Sequence, residues 1–143
     1  MPVFAQKKKG IARPKLVVGV VLDQMRPDYF YRYNERYSEN GFKKLLNEGN
    51  VCENTFINYL PSYTAPGHTC IYTGTVPSLH GISSNDWIDK VSGKYVYCTQ
   101  DANAKNIGGT VKSGKMSPKN LWSTTITDEL RMASNFKSKV IAI

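Results

Sequence analysis

The sequence predicts an α/β fold, and three observations carry that prediction. Two continuous apolar runs of strand length, Lys15–Leu22 (KLVVGVVL) and Lys139–Ile143 (KVIAI), are apolar at successive positions rather than alternate ones. A strand of that kind is suited to a parallel sheet covered on both faces. Between them lie segments of helical spacing opened by proline and closed by glycine, the start and stop signals of surface helices. Strand and helix signals therefore alternate along the chain, the order that produces helices on both faces of a sheet.

Residues 1–14 are polar and basic, ending in Arg13-Pro14, and read as a flexible leader. Val3-Phe4-Ala5 puts small residues where a signal peptidase reads, so the leader is either the remnant of a secretory signal cut before Gln6 or an ordinary polar tail. Lys15–Leu22 is the first buried strand and ends at Asp23. Pro27-Asp28 opens a helix through about Tyr37, and Phe42, Leu45 and Leu46 form a second amphipathic helix that stops at Gly49. Val51–Tyr59 alternates apolar and polar residues like a second strand. Pro66 lies in the first turn of a helix that runs to Gly74, with Thr64 at or near its N-cap. The polar stretch 82–114 holds one hairpin through Lys94–Cys98. Ser117-Pro118 is a helix start, and Leu121–Ser134 carries helical periodicity. The closing strand ends on an apolar residue, Ile143, without a cap or tail, so residues 15–143 are expected to be the first part of a larger domain truncated at 143.

Composition excludes some classes. With 143 residues, 41% hydrophobic and 21% charged, the chain can bury one core. No apolar run approaches the roughly 20 residues of a membrane span. The formal net charge of +8 invites a nucleic-acid reading, but the cations are scattered over Lys7–Lys9, Lys43-Lys44, Lys115 and Lys137 without interleaved aromatics. A solvated surface accounts for that pattern better than a nucleic-acid face. Cys52, Cys70 and Cys98 contain no Cys-x-x-Cys pair, which leaves one disulfide in an exported protein or free buried thiols.

Three residues point to chemistry. Asp23 stands at the carboxyl end of the first strand, where ligand sites of open α/β sheets lie. An Asp there is also a common turn former. Thr64, at a helix N-terminus, puts a hydroxyl beside unpaired backbone N–H groups, an environment that stabilises an alkoxide and an anionic phosphoryl group. A divalent zinc on that oxygen lowers the hydroxyl pKa further. Asn85 offers an amide that donates to a phosphoryl oxygen without adding charge.

Taken in order, the strings VVLDQMRPDY, YTAPGHTCIYTGTVPSLHGI and SSNDW closely resemble the PafA-type alkaline phosphatases, relatives of the nucleotide pyrophosphatase/phosphodiesterases in the alkaline phosphatase superfamily. The resemblance is dense from Lys15 to Trp87 and looser to Ile143. It implies an α/β/α sandwich with a two-zinc site, in a periplasmic or secreted enzyme whose substrate is a small phosphate ester. Asp23 and Thr64 would ligate one zinc, Thr64 would form a covalent phosphothreonine, and Asn85 would hold a phosphoryl oxygen. His68 and His80 fall inside the motifs but are structural by the resemblance.

A two-zinc site takes about six side-chain ligands. The resemblance puts the others, two aspartates and three histidines, in a C-terminal half absent from these residues, together with the Lys-x-Arg clamp of monoesterases. The isolated 143 residues are then expected to be inactive. Thr-Ala-Pro-Gly-His resembles the monoesterase branch more than the diesterase branch, which favours phosphate monoester hydrolysis over phosphodiester or nucleotide pyrophosphate hydrolysis. A formylglycine sulfatase is excluded, because Thr64 cannot become formylglycine. A non-catalytic, basic nucleic-acid-binding domain is the alternative from another class, resting on charge alone.

Overall fold

The structure is a computed structural model and describes residues 14–108 and 114–143. The leader expected over 1–14, with its secretory-signal reading, lies almost wholly outside the described residues. The helices form close to where the sequence predicts them. Helix α1 spans Asp28–Arg32, opened by Pro27 with Asp28 in its first turn, and continues as a 3₁₀ turn over Asn34–Arg36. Helix α2 spans Phe42–Glu48 and stops at Gly49. An aromatic cluster joins the two: the Phe42 ring meets Phe30 and Tyr37 edge-on, with centroids 5.2 and 5.0 Å apart. Edge-to-face pairs of this kind add about 0.5–1.5 kcal/mol each beyond their buried area.

Helix α3 spans Thr64–Thr73 and ends on Gly74, which takes the left-handed conformation at φ 67°. A short helix α4, Pro77–His80, follows, with Pro77 at its first position and left-handed Gly81 after it. Proline inside the start and glycine past the end are the local signals that form it. The core sits where α3, α4 and the segment around Cys98 meet. Pro66 and His80 are fully buried there, with Ile82 and Cys98 nearly so. Strands β1 (Asp86–Ile88) and β2 (Tyr95–Tyr97) pair antiparallel, Trp87 opposite Val96. This is the hairpin expected through Lys94–Cys98.

Helix α5 spans Ile126–Ala133 and starts later than Ser117-Pro118 suggests. Its start is a capping box: the Asp128 backbone N–H donates to Thr125 Oγ1, while Asp128 Oδ2 accepts from the Thr125 backbone N–H. Reciprocal bonds of that kind satisfy two otherwise orphaned donors. Ser117 is used for tertiary bonding instead, its hydroxyl donating to Asp101 Oδ2 at 2.6 Å. That bond, first among several, holds the Asp101 carboxyl below the usual carboxylate range.

The runs Lys15–Leu22, Val51–Tyr59 and Lys139–Ile143 do not pair as strands among the described residues, where β1–β2 is the one sheet. A strand needs backbone partners on its flanks and, for a run apolar on both faces, cover on both sides. Here Leu16, Val17, Val18 and Val20 are each at least 72% exposed. Among the described residues nothing covers them.

Candidate functional site

Asp23, Thr64 and Asn85 come from three separate segments and meet at the start of α3. Asp23 ends the apolar run, and the next residue, Gln24, sits in the left-handed region at φ 58°. That conformation is strained for a residue with a side chain, and it turns the chain sharply just after the carboxylate. Thr64 is the first residue of α3, with Tyr63 as the cap, in keeping with a place at or near the N-cap. Its hydroxyl donates to Asp23 Oδ2 at 3.0 Å. Asn85 comes from the loop between α4 and β1, and its Oδ1 accepts the Ala65 backbone N–H at 2.8 Å.

That last bond fixes the amide's orientation. With Oδ1 turned to Ala65, the other end of the group is Nδ2, which carries two N–H donors. The same bond corrects the expectation of a helix end rich in unpaired amides. Ala65 N–H is taken by Asn85, Pro66 has none, and Gly67 N–H bonds back to Tyr63 O at 2.9 Å. The Thr64 N–H is the remaining amide of the first turn.

Thr64, Ala65, His68, Asn85 and Tyr97 line an open cavity of about 400 Å³. Tyr97, on β2, is a lining residue that the sequence motifs do not mark. Both histidines are engaged within the protein. His68 Nδ1 lies 2.8 Å from Thr64 O, one turn back on α3. His80 Nε2 lies 3.2 Å from Cys70 Sγ, and its Nδ1 accepts the Ile82 backbone N–H at 3.1 Å. Burial lowers the His80 pKa below its ordinary value of 6.5. All three cysteines are free thiols.

The donors suit one side of a zinc shell. The Asp23 carboxylate and the Thr64 hydroxyl are exposed oxygens 3.0 Å apart, and a carboxylate oxygen is an ordinary zinc ligand. Among the described residues no group of three or more His, Cys, Asp or Glu side chains could close such a shell.

A model of the type I phosphodiesterase / nucleotide pyrophosphatase family matches residues 17–141. The chain belongs to that family. Its relatives include a protein from Myroides odoratus named a calcium-transporting ATPase, 58% identical over 99% of this chain and 25% of that one. Alkaline phosphatase PafA from Elizabethkingia meningoseptica is 56% identical over 97% of this chain and 26% of its own length. Solved structures of alkaline phosphatase PafA, wild type and a variant with four substitutions, match with TM-scores of 0.88 and 0.87. They are 58% and 56% identical and cover 91% of this chain and 25% of theirs. The α/β fold of the alkaline phosphatase superfamily is therefore the fold of this chain, which spans about a quarter of the length of the relatives it matches. No helix of the described residues is long and apolar enough to cross a membrane.

Proposed function

We propose that this chain carries the nucleophile side of a zinc-dependent phosphate monoesterase site, in a longer enzyme that works in the periplasm or outside the cell. The observation that carries the reading is the convergence of Asp23, Thr64 and Asn85, with Asn85 Oδ1 held by the Ala65 N–H. The solved PafA variant lends support from its substitutions. They include a threonine and an asparagine twenty-one positions apart, the separation of Thr64 and Asn85, and a lysine and an arginine two positions apart. The equivalent lysine and arginine would fall just beyond Ile143.

In this reading Thr64 Oγ1 attacks phosphorus. The Oγ–P bond forms, the ester P–O bond breaks and the alcohol leaves, giving a phosphothreonine that water then hydrolyses. The Thr64 hydroxyl proton is directed at Asp23 Oδ2, which leaves the oxygen lone pairs free of that bond. Asn85 Nδ2 donates to a non-bridging phosphoryl oxygen as charge develops there. Two zinc ions, the first held in part by Asp23 and Thr64, would supply charge stabilisation and an acidified nucleophile. Most of their ligands and the phosphate clamp belong to the remainder of the enzyme.

A second reading, phosphodiester or nucleotide pyrophosphate hydrolysis, draws on the description of the matched family. It uses the same nucleophile. Kinetics of the complete enzyme test the shared core: Thr64→Ala lowers phosphate monoester kcat/KM by about 10³-fold or more, and Thr64→Ser keeps measurable activity. Near wild-type turnover by Thr64→Ala would remove the nucleophile assignment. A higher kcat/KM for a diester than for the matched monoester would favour the second reading.

A further inference from the structure

His80 is a fully buried polar side chain, and its bonds run to both segments that build the site. Its Nδ1 accepts the Ile82 N–H, so in the neutral ring the proton is on Nε2. Nε2–H then donates to Cys70 Sγ on α3, the helix whose first residue is Thr64. Ile82 is nearly buried and begins the short stretch that leads to Asn85. The backbone of His80 is tied down as well, because His80 O accepts the Trp122 N–H at 3.0 Å. The stretch is tied down at its other end as well. Asn85 O accepts the Cys98 N–H at 2.9 Å, and Cys98 O accepts from Asn120 Nδ2 at 2.9 Å.

We infer that His80 is a positioning residue for the reaction: its ring fixes the Asn85 segment against the Thr64 helix, and so sets where the Asn85 amide meets the phosphoryl group. The inference rests on the proposed role of Asn85. Nothing in the arrangement lets His80 touch substrate, since the ring is wholly buried and both its nitrogens are engaged. Its effect must pass through Asn85. A misplaced donor of that kind loses about 10²-fold in rate for a displacement near 1 Å.

A double-mutant cycle in the complete enzyme tests this, with a chromogenic phosphate monoester as substrate. In the otherwise wild-type background, His80→Ala lowers kcat/KM by about 10- to 100-fold. In the Asn85→Ala background, the same change costs less than about twofold, because the contact it positions is already gone. His80→Gln, which can keep a donor toward Cys70, recovers part of the loss. Cys70→Ala, a smaller change on a half-buried side chain, provides the same cycle should His80→Ala not fold, and it shows the same dependence on Asn85. Equal losses in both backgrounds, or no loss with Asn85 intact, would overturn the positioning role while leaving the proposed function standing. Wild-type kinetics for Asn85→Ala alone would instead overturn the role of Asn85, and this inference with it.

Discussion

Thr64 Oγ1 donates a hydrogen bond to Asp23 Oδ2 across 3.0 Å, although 41 residues separate the two in sequence. One comes from the first turn of α3 and the other from the end of an apolar run followed by a left-handed turn at Gln24. A hydroxyl beside a carboxylate is a common surface pair. Here it is joined by an amide whose oxygen is already occupied by the Ala65 N–H, and Thr64 and Asn85 line the same cavity.

In the proposed mechanism Asn85→Ala removes one phosphoryl contact among several, so it should slow the enzyme without stopping it. The expected loss in kcat is about 10²–10³-fold. Steady-state kinetics of the complete enzyme check this, and unchanged kinetics would take Asn85 out of the site.

Gly81→Ala should cost stability for two separate reasons. Gly81 has φ 85°, and a Cβ there would stand 2.7 Å from the Trp122 ring and 2.9 Å from Asn120 O. Left-handed backbone with a side chain costs about 1–2 kcal/mol, and overpacking adds about 1–3 kcal/mol. Gly93 shares the positive φ, at 67°, but a Cβ there meets nothing within 4 Å. Gly93→Ala therefore shows the backbone cost alone. Denaturant midpoints of the two variants give the comparison, and equal losses would contradict the packing argument.

Acid should weaken the fold through His80 before it reaches the carboxylates. Burial depresses the His80 pKa below 6.5. Protonation would also put a new N–H on Nδ1 against the Ile82 N–H, while the Cys70 thiol opposite Nε2 offers no compensating charge. A depressed folded pKa means that the unfolded chain takes up the proton first. The stabilisation is complete above 6.5 and is lost as pH falls below it toward the folded value. Asp101 and Asp128, held below the ordinary 3.8, lose theirs only in stronger acid. Melting temperature should decline between pH 7 and 5 in the parent and much less in His80→Gln. A flat parent profile over that window would contradict the buried, neutral histidine.

The clustering of the candidate residues was more legible in the sequence than the sheet was. Asp23, Thr64 and Asn85 stand in motifs whose residue types and order suggest the proposed chemistry, and the fold brings all three together. Helices α1, α2 and α3 follow from Pro27, Gly49 and Gly74, because such ends are set locally. Strands are set by partners. Val17 and Val18 have the composition of a buried strand, yet pairing depends on neighbours that no local pattern supplies. Ser117-Pro118 has the local chemistry of a helix start, but the bond from Ser117 to Asp101 competes for it, and the capping box at Thr125 and Asp128 sets α5 instead. The bridging position of His80 was not legible at all. It exists only once α3 and the Asn85 segment are packed on either side of one ring.

The covalent intermediate offers the most direct test of the central claim. The complete enzyme is mixed with a phosphate monoester, quenched in acid to trap any phosphoryl-enzyme, digested and analysed by mass spectrometry. The account predicts one phosphoryl group on the peptide that contains Thr64, localised to that residue by fragmentation and absent from Thr64→Ala. A phosphoryl group on a different residue, or catalytic turnover by Thr64→Ala at the wild-type rate, would contradict it.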